Sequence, residues 1–192
     1  MNLYPLYEFH PILTLNNNQL IHLKTKLHVL VPIEWQFILV SDGSFTQNLH
    51  ALIDKQPDIK MYQKYRKKSK NIIKNMRAIW LKNHKDNKFI FARSSWYLNN
   101  IDQKYINIIN KQPVGKYLIE SEIDMYKDIQ EIYYGYCYNL EQKFQSQQPI
   151  WGRKYTIYYK HKSYATIQEY FSPKLLDLFR AENINIINIA NV

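Results

Sequence analysis

One antiparallel sheet with helices packed against it, an α+β fold in a single domain, is what this 192-residue sequence predicts. Three observations predict it. Two pairs of alternating apolar stretches are joined by short turn signals, which is how antiparallel hairpins read. A separate stretch, "PIEWQFILVSDGSFTQNLHALI", spaces its apolar residues as a helix does. The length, with 46% hydrophobic and 22% charged residues, suits one core of respectable size, and two independent domains would each be marginal.

Taken in order, residues 1–30 are punctuated by Asn and Pro and read as an irregular or short helical lead-in. The domain proper is expected over 31–180, with 181–192 as a tail. From residue 31 the helical pattern is interrupted at "SDGS", where Ser44 is placed to cap a second helix running to about Ile53. "DIKMYQKYRKKSKNIIKNMRAIWLKN" predicts strands near 58–65 and 72–82, with "KYRKKSK" between them as a solvated hairpin or loop. "HKDNK" then turns "NMRAIWL" into "FIFARSSWYL". "NIDQKYINIINKQPVGKYLIES" reads as a helix broken near Pro113, and "YKDIQEIYYGYCYNL" as a strand containing Gly135. "GRKYTIYYKHKSYATIQEYF" is the clearest hairpin, turning at Lys160 to Ser163.

Composition excludes several classes of function. The longest apolar runs, such as "FILV" at 37–40, are far shorter than the ~20 residues of a membrane span. The N-terminus does not read as a targeting peptide. A lone cysteine, Cys137, permits neither an internal disulfide nor a multi-thiolate metal site, and it reads as buried packing. The six histidines show no close ligand spacing, so no metal and no cofactor are expected. Gly-rich nucleotide cradles and a Gly-x-Ser-x-Gly elbow are absent. The formal charge of +10 raises nucleic acid as a partner. Abundant Lys, Asn, Ile and Tyr instead suggest the drift of an AT-rich genome.

Scarcity makes the persisting Gly and Arg informative. The four glycines are Gly43, Gly115, Gly135 and Gly152, and the arginines are Arg66, Arg77, Arg93, Arg153 and Arg180. Two charges stand out by their strand phase. Arg77 is in step with Ile79 and Leu81, and Glu169 with Ala165, Ile167 and Phe171, so each lies on an otherwise apolar face. The opposite face of the last strand, Tyr164, Thr166, Gln168 and Tyr170, was available for a polar residue. A buried charge must find a partner, change its ionisation or bind a ligand. Arg77 and Glu169 pairing with each other is one bland outcome; partial solvation is another.

The ordered series "SDGSFT", "NMRAIWL", "FARSS", "QPVGKYL", "WGRK" and "IQEYFSP" resembles the chorismate lyase family over about residues 38–173, most closely its plastid-encoded members in algae. The resemblance implies a chorismate lyase-like fold and a cofactor-free cleavage of chorismate into 4-hydroxybenzoate and pyruvate. It implies a monomer in the plastid stroma feeding quinone synthesis. Arg77 matches the arginine that binds the ring carboxylate, and Glu169 the carboxylate that contacts the ring hydroxyl. Val114, beside Gly115, stands where the family uses a leucine whose backbone contributes to the carboxylate site. Phe45 replaces a pocket methionine, and Arg153 resembles a basic residue able to attract the second carboxylate. Ala78 departs from bacterial relatives, which often carry an acid there.

The chemistry fits these residue types. Chorismate is a dianion, and making an aromatic ring drives the step, so orientation matters more than chemical assistance. A neutral Glu169 could donate to a departing oxygen, and an ionised one could hold the hydroxyl; both roles remain open. Phe45 and Trp96 read either as pocket walls or as ordinary core. Two other classes are weighed beside the lyase: a non-catalytic small-acid-binding module of the same fold, and a basic nucleic-acid binder using "KYRKKSK" and the 17 tyrosines.

Overall fold

Seven antiparallel strands form a single sheet in the order β1-β5-β6-β7-β4-β3-β2. A computed structural model describes residues 8–22, 27–41, 43, 45–53, 56–69, 72–83, 85–97, 126–159 and 161–179. The strands are β1 His10–Asn16, β2 Asp58–Ser69, β3 Ile72–Lys82, β4 Lys88–Tyr97, β5 Tyr126–Tyr136, β6 Ile150–Tyr159 and β7 Lys162–Phe171. Among the described residues the helices are α1 Asn17–His22, α2 Leu27–Leu30, α3 Ile33–Leu39, α4 Phe45–Ile53 and α5 Tyr138–Phe144. A helical turn over 175–179 follows β7. Among the described residues no helix is long and apolar enough to cross a membrane.

Local sequence explains most of this. The β3–β4 hairpin turns at 83–87, where Asn83 caps the loop: its side-chain oxygen accepts from the backbone N–H groups of Lys85 and Asn87. Asp86 takes a left-handed backbone, φ 62°, which Asp tolerates better than bulkier residues. The β6–β7 hairpin turns where the sequence predicts, with His161 at φ 61°. Pairing of β7 with β4 then joins the two hairpins antiparallel, so β6, β7 and β4 lie in the middle of the sheet.

Side-chain alternation gives the sheet two covered faces. On the front, Leu81, Ile90, Phe171 and Trp151 lie in one row across β3, β4, β7 and β6. Trp35 and Ile38 of α3, Phe45 and Leu49 of α4, and Leu175 pack on that end of the front face. On the back, Trp80, Phe91, Tyr170 and Tyr133 are buried with Leu140 and Phe144 of α5. Burying a large apolar side chain contributes about 1.5–3 kcal/mol, so both layers hold the helices against the sheet.

Three readings need correction. Residues 10–16 form an edge strand instead of irregular lead-in, with Leu13 and Leu15 turned to the front core and Pro11 tolerated because the strand is at the edge. The strand expected near 58–65 extends to Ser69, so most of "KYRKKSK" is strand; pairing with β3 overrides the low strand propensity of lysine. On the face of the last strand read as polar, Thr166 and Gln168 keep partial exposure but Tyr164 and Tyr170 are buried, the latter because its ring joins the back-face aromatic cluster. Ser44, the segment around Pro113 with Val114 and Gly115, and the tail 181–192 lie outside the described residues.

Candidate functional site

The front face of β3, β4, β7 and β6 carries both charges expected from the sequence. Arg77, Ser94, Ile167 and Tyr155 form one row across the four strands. The next row is Ile79, Ala92, Glu169 and Arg153. Arg77 and Glu169 are therefore two strands and two residues apart on the same face, about 10 Å across and about 7 Å along the sheet between their Cα atoms. That is too far for adjacent backbone positions to force a pair, and suited to two long side chains reaching the ends of a small molecule.

Glu169 pairs with Arg153 directly opposite it, at 2.7 Å from Nε to Oε2. Its other oxygen, Oε1, accepts a hydrogen bond from the Tyr155 hydroxyl at 3.1 Å. Arg153 is fully buried and reaches beyond the sheet: Nη1 donates to the carbonyl oxygens of Ile38, Leu39 and Ser41 at 2.9–3.1 Å. Those carbonyls are at and just beyond the C-terminus of α3, where a helix leaves acceptors without internal donors. Lys127 on β5 adds two bonds in the same region, donating to the carbonyls of Ser41 and Gly43. One arginine thus fixes both the catalytic-candidate carboxylate and the "SDGSFT" turn.

The Arg77 end has a different character. Arg77 is buried on β3, with its guanidinium carbon 5.5 Å from the centre of the Trp96 ring. Burial pushes its pKa down to about 10, opposed by the Tyr65 phenol on the neighbouring strand. Trp96 also donates its indole N–H to the Ser94 hydroxyl at 2.8 Å, which fixes both side chains. Between the two charged ends, Ile79, Ala92, Ser94 and Glu169 keep partial exposure, while Leu81 and Ile90 on one side and Asn75 and Trp96 on the other are buried. The accessible patch lies in the centre of the sheet, between the Arg77 and Glu169 positions.

The structure distributes the expected site residues unevenly. Arg77 and Glu169 share the face, and the bland pairing between them is replaced by the Arg153–Glu169 ion pair. Arg153, expected to meet a second carboxylate, has its Nε on Glu169 and its Nη1 on three backbone carbonyls. Phe45 is buried in the core, its ring 5.1 Å from that of Phe171, one row beyond Glu169. Val114 and Gly115 are outside the described residues. Ala78 faces the back, opposite Arg93, whose Nε donates to Gln168; an acid at this position would meet Arg93 and not the front face. Cys137 is buried ahead of α5, and burial raises its thiol pKa.

Tyr155 and Lys127 are the contributors that sequence reasoning missed. Alternation from Arg153 places Tyr155 on the same strand face, and that spacing was the available signal. Tyr155 is one of three buried phenols whose pKa burial drives up, with Tyr133 and Tyr170. Each stays protonated in the folded chain above the pH where the unfolded chain ionises, so stability is intact below about pH 10 and falls as pH rises beyond it. Arg77 acts oppositely, since its lowered pKa makes the folded state lose its proton first. The three buried phenols, joined by Tyr134 and Cys137, whose pKa values burial also raises, outweigh Arg77 and predict a melting temperature that falls as pH rises above about 10, measurable by circular dichroism.

Gly152 serves the site from behind. A Cβ there would overlap the Tyr133 ring and come within 2.6 Å of the Glu169 carbonyl oxygen. Tyr133 lies over this gap and donates to the carbonyls of Arg153 and Glu169, at 3.1 and 3.2 Å, bracing the two backbones that carry the ion pair. Gly152→Ala is expected to cost about 1–3 kcal/mol or more by overpacking, read as a lower denaturation midpoint. A midpoint equal to the native one would show that Tyr133 is not held there.

A family model described as chorismate pyruvate-lyase Rv2949c-like matches residues 39–179. "Uncharacterized protein ycf21" of Antithamnion sp. is 45% identical over 175 residues, covering 91% of this chain and 96% of that protein. The protein of the same name from Porphyra purpurea is 36% identical over 148 residues, 76% of this chain and 84% of that one. Among solved structures, a putative GntR-family transcriptional regulator overlaps 60% of this chain and 54% of its own at 6% identity, with a TM-score of 0.41.

Proposed function

The chain belongs to the Rv2949c-like chorismate pyruvate-lyase family, and from that premise we propose that it cleaves chorismate to 4-hydroxybenzoate and pyruvate. Arg77 holds the ring carboxylate through its planar guanidinium, and Glu169 receives the ring hydroxyl. The observation that carries this reading is the placement of these two groups on one face, two strands apart, with a partly accessible strip of Ile79, Ala92 and Ser94 between them.

The reaction balances without a co-reactant. The bond between the ring carbon and the ether oxygen breaks, its electron pair leaves with that oxygen as the enolate of pyruvate, and the ring proton lost on aromatisation ends on the enolpyruvyl methylene carbon. No water or electron acceptor is consumed. What the protein supplies is a fixed ring, and orientation of this kind accounts for much of a unimolecular acceleration. With Glu169 bonded to Arg153 and Tyr155 through both oxygens, it acts as an acceptor for the ring hydroxyl and not as a proton donor. The names of the algal relatives support a plastid setting, where 4-hydroxybenzoate would enter quinone synthesis.

Incubating the purified chain with chorismate and measuring both products tests the reading. Equal yields of 4-hydroxybenzoate and pyruvate are expected. Tight binding of 4-hydroxybenzoate without turnover would instead make the chain a small-acid-binding module, and neither binding nor turnover would overturn the reading altogether.

A further inference from the structure

We propose that Tyr155 is a positioning residue that makes the site selective for a hydroxylated aromatic acid, by locking the Glu169 carboxylate in the orientation that receives the ligand's hydroxyl. This rests on the proposed function and deepens it. A carboxylate on a strand has two rotatable bonds below its terminal torsion, and one ion pair still lets it rotate about the Nε–Oε2 contact. A second bond to the other oxygen removes that freedom. The Tyr155 hydroxyl supplies it at 3.1 Å, from two residues along the same strand as Arg153.

Tyr155 is itself held rigidly. Its side chain is buried on the front face, with the Arg153 guanidinium carbon 5.3 Å and the Lys127 ammonium 4.8 Å from its ring centre. Lys127 is tied at the same time to the carbonyls of Ser41 and Gly43. The phenol therefore approaches Glu169 from a fixed direction, with its hydroxyl proton committed to Oε1. Each carboxylate oxygen has a further lone pair, and the partial exposure of Glu169 leaves acceptor capacity for one more donor. A ligand lacking a hydroxyl gains nothing from that acceptor and leaves a desolvated carboxylate lone pair unmet, which is how a built polar site rejects a deoxy analogue.

Selectivity between 4-hydroxybenzoate and benzoate is the readout, since the two acids differ only in the hydroxyl. Calorimetric titration of the native chain should give at least 10-fold tighter binding of 4-hydroxybenzoate. In Tyr155→Phe, which keeps the ring, that preference should fall to about 3-fold or less while benzoate affinity changes less than 2-fold. In Glu169→Gln the preference should already be reduced, and adding Tyr155→Phe should reduce it little further. A Tyr155→Phe variant that weakens both acids equally, or that retains the full preference, overturns the assignment of Tyr155 and leaves the proposed function standing. Failure of the native chain to bind either acid overturns the assignment of Tyr155, and together with absence of chorismate turnover it overturns both.

Discussion

Alanine in place of Arg77 is expected to reduce kcat/KM for chorismate by about 10²- to 10³-fold, the scale of losing a buried, hydrogen-bonded charge pair with a ligand. Arg77→Lys should recover little of it. An ammonium cannot present two parallel N–H donors to a carboxylate, and its shorter reach leaves the group against the Trp96 ring. A guanidinium lowered from 12.5 to about 10 by burial is disfavoured in its charged form by roughly 3 kcal/mol at neutral pH. A bound carboxylate offsets that cost, so burial makes this residue favour an anion. Arg77→Met keeps most of the volume without the charge and should lose activity. Undiminished turnover in Arg77→Ala would remove Arg77 from the site.

Removing Arg153 should act on the fold as much as on the site. Arg153→Ala strands the Glu169 carboxylate on an apolar face and takes a donor from the carbonyls of Ile38, Leu39 and Ser41. Breaking a buried pair in this way typically costs about 3–5 kcal/mol. In a chain of this size that is a fall in melting temperature of roughly 10 °C. Arg153→Lys cannot replace it, because one ammonium cannot bond Glu169 and the end of α3 together. Urea titration followed by tryptophan fluorescence reads the effect through Trp35 and Trp151, which pack on the same end of the sheet. A loss below about 1 kcal/mol would mean that the pair is effectively solvated and worth only what surface pairs are worth.

The two hairpins and the α3–α4 pair were legible because each depends on residues close in sequence: a turn signal flanked by alternating apolar positions, or a helical stripe with a break at "SDGS". The unusual positions of Arg77 and Glu169 were legible for the same reason, since strand phase is a local property. What sequence withheld was long-range. β1 is a strand because β5 offers it an edge, and Gly135 lets the two backbones approach: a Cβ there would overlap His10 and Pro11. Tyr170 looked polar by its hydroxyl, yet its ring lies 5.3 Å from Tyr133 and 6.3 Å from Phe91 in the back-face core. The partner of Glu169 could not be read either. Arg153 and Glu169 are 16 residues apart, and which residues face each other across a hairpin is set by its turn and by any irregularity beyond it.

That irregularity has a consequence of its own. Near the turn, Tyr158 faces Ser163, but one step on Ile157 faces Ala165, so β7 carries an extra residue between them. Were that count even, Arg153 would stand beside Gln168, and the acid would look across at a neighbour with nothing to offer it. One inserted residue next to the hairpin turn, Tyr164, buried and with its ring 5.6 Å from that of Tyr159, therefore sets which letter of "IQEYF" faces the buried cation. Deleting Tyr164 would close the bulge and keep Arg153 opposite Glu169, whereas sliding β7 by one position with every residue kept would lose that pair.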